Sequence, residues 1–198
     1  MKPEIISTEP IYNGKVFDVT RSKIKEGDVT YEREIITHNG SAVIVPVFED
    51  QTVALVRQYR HPAKKYLLEI PAGSLEKDEN PEIGAARELE EEIGVRAEKI
   101  EKLTEFYVSP GFLAEKMFVF MATGLTEVGQ KLEEDELIEI ERIGFPQAFE
   151  MIRNGAIEDA KTMLGLIVAG IRFGHIFDKR WSRLDKYRHF SIFLSFAF

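Results

Sequence analysis

Cysteine is missing from all 198 residues, which excludes a disulfide framework. Long apolar runs are missing too. The longest nearly unbroken one, residues 163–171, is about half of what a bilayer span requires, so no integral membrane segment is expected. No apolar stretch follows Lys2, Pro3 and Glu4, which predicts that there is no secretory leader and that the protein is cytoplasmic. Positive charge is in deficit, with 26 Lys and Arg against 34 Asp and Glu, a net charge of −8. Such a surface repels a phosphate backbone, so polymeric nucleic acid is not an expected partner. Repeats and low-complexity tracts are also lacking. The composition that remains, 44% apolar and 30% charged, suits one soluble domain, or one domain with a small appendage.

Along the chain, strand-like runs at 15–24 and 29–36 flank the turn Glu26-Gly27-Asp28 and predict a hairpin. Apolar runs at 41–48, 52–59 and 66–70 predict further strands, the first two joined at Glu49-Asp50. A helix is expected over 80–93, with Asn80 as N-cap, Pro81 at its first position, Gly94 just past its end, and Ile83, Ala86, Leu89 and Ile93 on its inner side. Strands at 116–124 and 136–143 follow. Next come a helix at 146–154 and a longer one from Asp159 whose stripe is Leu164, Ile167, Val168 and Ile171. This order predicts a mixed α/β (α+β) sandwich and argues against a doubly wound parallel sheet. Three regions are expected: an amino-terminal β region at 1–38, a main domain at 39–174 and an atypical tail at 175–198.

The helix at 80–93 carries the chemistry. At ~100° per residue, Glu88, Glu91 and Glu92 share an arc of ~100°. Like charges at this spacing destabilise a helix, and only Arg87 is near enough in sequence to offset them. A hard divalent cation such as Mg²⁺, which takes carboxylate and phosphate oxygens, would neutralise the group. Acidic helix faces are ordinarily just solvated, so the wider pattern has to decide. From Gly73 to Val95 the chain reads Gly, five residues, Glu79, seven residues, Arg87-Glu88-Leu89, one residue, Glu91-Glu92, one residue, Gly94-Val95. This resembles the Nudix box at every constrained position. A chance match is on the order of one in 10⁸ per register at ordinary composition.

The resemblance implies a Nudix-type α/β/α sandwich with a mixed sheet, and Mg²⁺-dependent hydrolysis of a nucleoside diphosphate linked to another group. It implies two or more ions, with Mn²⁺ as a substitute. By position it makes Glu88 and Glu92 the principal metal ligands, with Glu91 joining them or acting through water, and Arg87 a structural partner of Glu79. Residues 57–73, "RQYRHPAKKYLLEIPAG", and Pro110, 16 residues after Gly94, resemble the ADP-ribose pyrophosphatase subfamily. That likeness implies that the carbonyl of Ala72 binds metal, that Arg60 and Arg33 approach the diphosphate or terminal ribose, and that Glu69 contacts the base side. Tyr12, Phe17 or Tyr31 could stack on the base, although an aromatic on a half-buried strand is more often a sheet residue. In the acidic loop at 133–136 the likeness favours Glu136, then Glu133, as general base or extra ligand, with Glu115 a weaker candidate.

The implied reaction converts ADP-ribose to AMP and ribose 5-phosphate. The alternatives are a nucleotide-sugar or other nucleoside-diphosphate pyrophosphatase, and a non-catalytic module that senses ADP-ribose. The intact acids of the box weigh against the last. The likeness also implies a homodimer formed through the amino-terminal strands. The chain departs from the subfamily after residue 177. There Lys179, Arg180, Arg183, Lys186 and Arg188 precede the apolar end "SIFLSFAF", for which packing within a dimer is the expectation.

Overall fold

The computed structural model describes residues 2–132 and 136–175. The chain begins with three antiparallel strands in the order β1-β2-β3: β1 (Glu4–Asn13), β2 (Asp18–Glu26) and β3 (Val29–Thr37). It continues through β4 (Ser41–Pro46), β5 (Thr52–Arg60), β6 (Lys65–Glu69) and the short β7 (Ala72–Ser74). Helix α1 (Pro81–Glu88) runs straight into a π-helical turn at Leu89–Ile93. Then come β8 (Val95–Tyr107), β9 (Lys116–Glu127), β10 (Glu139–Gly144), α2 (Phe145–Arg153) and α3 (Ala160–Arg172). One sheet is mixed, in the order β7-β4-β9-β8 with β4 and β9 parallel, and a second has the order β10-β5-β6.

Strand β4 is buried along its whole length, which is why it reads as a continuous apolar run. Its residues alternate between two cores. Val43 and Val45 join Val119, Met121, Phe145, Ala148, Leu166 and Ala169 under α2 and α3. Ala42 and Ile44 join Phe120, Ala122, Ala85, Leu89 and Ile93 under α1. Strand β5 divides likewise, with Val53 and Leu55 facing one core and Ala54 and Val56 the other. The result is the α/β/α sandwich with a mixed sheet that the sequence predicts, preceded by a separate antiparallel sheet. No helix among the described residues is long and apolar enough to cross a membrane.

The structure corrects several local readings. Strand β1 lies where no strand is expected; it is exposed throughout, and its register shifts near Pro10, as suits an edge strand. Strand β8 also escapes the pattern. Ala97, Ile100, Leu103 and Phe106 fall three apart, and a register shift between Lys102 and Thr104 breaks the alternation. Strand β10 begins at Glu139, three residues later than expected. Both long helices are rotated from their expected orientation. In α1, Ile83 is 64% exposed while Gly84, Ala85 and Glu88 face inward. In α3 the inner stripe is Thr162, Gly165, Leu166, Ala169 and Gly170, and Ile167 and Ile171 are exposed. Small residues let α3 approach closely: a Cβ on Gly165 would lie 2.5 Å from Ile70 Cδ1. The tail expectation falls on residues 176–198, outside the described residues.

These orientations separate two substitutions. Leu55→Ala, in the core, should cost about 2–5 kcal/mol of stability, and Ile83→Ala less than about 0.5 kcal/mol. Urea unfolding measures both. An Ile83→Ala cost equal to that of Leu55→Ala would restore the orientation of α1 expected from the sequence.

Candidate active site

The segment from Gly73 to Val95 is built by a few close contacts. A Cβ at Gly73 would fall 2.0 Å from Glu88 Oε1, so the carboxylate of Glu88 lies against β7 only because that residue is glycine. Asn80 Oδ1 accepts from the amide of Glu82 at 2.9 Å, with Pro81 following it, and this starts α1. The end is set by Gly94 at φ 71°, where a Cβ would meet Gln130 N at 2.6 Å. Gln130 Nε2 in turn donates to the carbonyl of Glu92 at 2.7 Å. The last turn widens into a π-helical one over Leu89–Ile93, a distortion frequent at functional sites. Glu88 and Glu92 are buried, and Glu91 stands further out.

Arg87 is the hinge of the ion pairs. Its Nε and Nη2 donate to Glu79 at 3.2 Å each, and its Nη1 donates to Glu88 at 2.6 Å and to Glu91 at 2.9 Å. Glu92 is placed differently. It is 3% exposed and accepts the amide of Ala72 at 3.1 Å. Burial, and then the charge of Glu88, push its pKa up to about 8, with Glu136 adding to the rise and Arg60 opposing it. Burial also raises the Glu88 carboxyl, against the pull of Arg87.

These groups line a cleft of about 500 Å³. Glu88, Glu91, Glu92, Glu136 and Ala72 all border it. Arg60 borders it as well, so the structure gathers six of the candidate site residues. Arg33 does not: its guanidinium lies 4.3 Å from the ring centroid of Tyr31 in a second, smaller cleft near Phe112. Glu133 lies outside the described residues. Glu69 is 1% exposed, and both of its oxygens are taken by Arg60 Nε and Nη2 at 2.8 Å and by Lys161 Nζ. Burial alone would raise its pKa, yet these cations hold it below the ordinary range. Glu69, expected to contact the base side, is thus paired with cations and is not among the residues that border the cleft. Glu115 also borders the cleft and accepts from Ser41 Oγ at 2.7 Å.

Sequence reasoning missed Lys161 and Gln58, both of which border the cleft. Gln58 could have been found, since it lies two residues before Arg60 on the same face of β5. A single lysine at the start of α3 carries no pattern. Among the described residues, no three acidic or imidazole side chains are already drawn together as a metal cage. The donor chemistry nevertheless fits a hard cation. Carboxylate oxygens are concentrated in one cleft, and Glu92, the most buried of them, has a backbone amide as its hydrogen-bond partner.

The raised pKa of Glu92 sets a pH dependence for the metal-free protein. In the unfolded chain this carboxyl ionises near 4.5, and in the folded protein near 8, so between those values the folded state holds a proton that the unfolded state has lost. Stability therefore falls as pH rises through that window, by at most about 1.4 kcal/mol per unit. In EDTA, calorimetric melting of the wild type should drop from pH 5 to pH 8 more steeply than that of Glu92→Gln. Parallel curves would refute the assignment.

Comparison with known proteins places the same segment in context. The NUDIX domain model matches residues 38–165. The chain is 39% identical over 166 residues to the ADP-ribose pyrophosphatase of Bacillus subtilis (strain 168), covering 82% of this chain and 89% of that protein. It is 37% identical over 165 residues to the methanol dehydrogenase activator of Bacillus methanolicus, covering 81% and 89%. A crystal structure of an ADP compounds hydrolase shares the fold, with a TM-score of 0.79 at 22% identity over 88% of this chain and 97% of that one. With the box acids lining one cleft, the chain belongs to the Nudix family of hydrolases.

Proposed function

We propose that the protein hydrolyses the diphosphate bond of ADP-ribose, water adding to one phosphorus as the P–O–P bridge breaks, to give AMP and ribose 5-phosphate. The observation that carries this reading is one cleft holding the four acids Glu88, Glu91, Glu92 and Glu136 together with the cation Arg60. The similarity to the Bacillus subtilis ADP-ribose pyrophosphatase supports the substrate. Glu88 and Glu92, with Glu91 and the carbonyl of Ala72, would hold Mg²⁺, with Mn²⁺ able to replace it. When bound, two or more such ions neutralise phosphate oxygens and acidify a water. Glu136 would take the proton from that water. Arg60, fixed by Glu69, would face the phosphate charge that grows as the bridge breaks. The cleft has polar walls suited to a soluble nucleotide.

An exposed amino-terminal sheet supports a second element of the proposal, a homodimer. Ile5, Ile6, Ile11, Tyr12 and Val29 all stand in solvent, and only Ser22 is buried on these three strands. A partner's matching sheet would cover them. On this reading residues 1–38 are the dimer-forming region and 39–174 the catalytic domain, with Arg33 and Tyr31 serving the partner's cleft. Light scattering should return a dimer for the full chain and a monomer after deletion of residues 1–36, with lower substrate affinity. A fully active monomeric full chain would end this part of the proposal.

Chromatographic assay of ADP-ribose, GDP-mannose and a dinucleoside polyphosphate, with and without Mg²⁺, tests the substrate. ADP-ribose should be cleaved fastest, and only with metal. Preference for GDP-mannose would favour the nucleotide-sugar alternative, and binding without cleavage a sensing module. The acids should fail in different ways. Glu136→Gln should lower kcat by about 10² to 10⁴ with KM and Mg²⁺ requirement little changed. Glu88→Gln should raise the Mg²⁺ concentration for half-activity, and Glu92→Gln should retain less than about a tenth of turnover without loss of melting temperature. Wild-type behaviour of Glu136→Gln would move the base to another loop acid, Glu133 first.

A further inference from the structure

Lys161 is 8% exposed, the second residue of α3, and it reaches the cleft far along the chain from the box. Burying an ammonium group is costly, and apolar replacements of buried ion pairs are often no less stable. Here the cost is met by two carboxylates: Lys161 Nζ contacts Glu69 and also Asp159 at 3.1 Å. Glu69 simultaneously grips Arg60 through two parallel hydrogen bonds of 2.8 Å. One buried carboxylate thus holds two cations from different elements, β5 and α3, at the border of the same cleft.

The position of α3 is fixed independently. Asp159 caps the helix, accepting from the amide of Thr162 at 2.9 Å and from its hydroxyl at 2.6 Å. Thr162 Oγ1 accepts in turn from the amide of Ile70 at 2.9 Å. Ile70 lies three residues before Gly73, so the start of α3 is clipped to the segment that enters the box. Donor arithmetic leaves capacity toward a ligand. Glu69 accepts one of the three ammonium hydrogens of Lys161, whose contact with Asp159 is an ion pair of 3.1 Å, and Glu69 uses Nε and Nη2 of Arg60, sparing Nη1.

We propose that Lys161 is a substrate-binding residue that, paired with Arg60, receives the diphosphate oxygens, and that Glu69 is the positioning residue that sets both cations. The inference deepens the hydrolase reading and rests on it for the identity of the substrate. Phosphate oxygens match two cations presented side by side, whereas a neutral sugar or base gains nothing from a second charge.

The test uses the full-length protein in Mg²⁺, its Lys161→Met and Lys161→Arg variants, and inorganic pyrophosphate as a probe in calorimetric titration. Pyrophosphate affinity should fall about 10- to 100-fold in Lys161→Met. It should be largely restored in Lys161→Arg. KM for ADP-ribose should rise in parallel, with the Mg²⁺ concentration for half-activity unchanged. Glu69→Gln should weaken pyrophosphate binding as well. Unaltered pyrophosphate affinity in Lys161→Met would overturn the inference. So would equal losses in both lysine variants accompanied by a fall in melting temperature, which is the mark of a structural role. If the wild type fails to cleave ADP-ribose yet binds pyrophosphate through Lys161, the substrate reading falls and this assignment stands.

Discussion

Crowding of negative charge under poor solvation is the constraint around which this molecule is arranged. Glu88 and Glu92 are buried, near one another and near Glu136. Burial penalises the charged form of each, and mutual repulsion adds to the penalty. Neighbouring features supply compensation. Arg87 spans Glu79, Glu88 and Glu91; Gly73 lets the Glu88 carboxylate touch a backbone; and Ala72 offers its amide to Glu92. The balance is incomplete at Glu92, whose raised pKa is the residue of that conflict. A fold that keeps such a cluster carries a stability cost that a bound cation would relieve, which ties the chemistry of the site to the thermodynamics of the chain.

The same constraint accounts for how much could be read from the sequence. The box was legible because its spacing reflects rigid requirements: a glycine where a carboxylate touches backbone, a cap at Asn80, and a left-handed residue at Gly94. The central strands were legible because β4 and β5 are apolar on both faces. The orientation of α1 was not. Periodicity assigns the larger apolar residue, Ile83, to the core, whereas the inward side is occupied by Gly84, Ala85 and the functional acids. In α3 the same preference for large residues misled, since close approach to Ile70 selects Gly165 and close approach to the ring of Phe149 selects Gly170.

Long-range polar contacts were illegible for a different reason. The partners Glu69 and Lys161 are separated by 92 positions, and no local pattern announces such a pair. Glu69 illustrates the consequence. Position in a familiar run suggested a residue that meets the ligand, while the fold turns its carboxylate inward and gives both oxygens to cations. Strand β8 was hidden because a register shift between Lys102 and Thr104 interrupts its alternation, and its apolar residues divide between the two cores, Ala97 and Ile100 on one and Leu103 and Phe106 on the other.

The clip between Thr162 and Ile70 bears on the order in which the molecule can be completed. Chains emerge from the ribosome amino end first, so all the box acids are outside well before α3 has been made. Until α3 arrives, one face of β4 and β9 lacks Leu166 and Ala169, and Glu69 lacks its second cation. A half-made chain therefore carries the acidic helix but not the finished cleft. Docking of α3, the last helix among the described residues, closes both the larger core and the site, and a nascent chain that has not yet made α3 lacks the finished cleft.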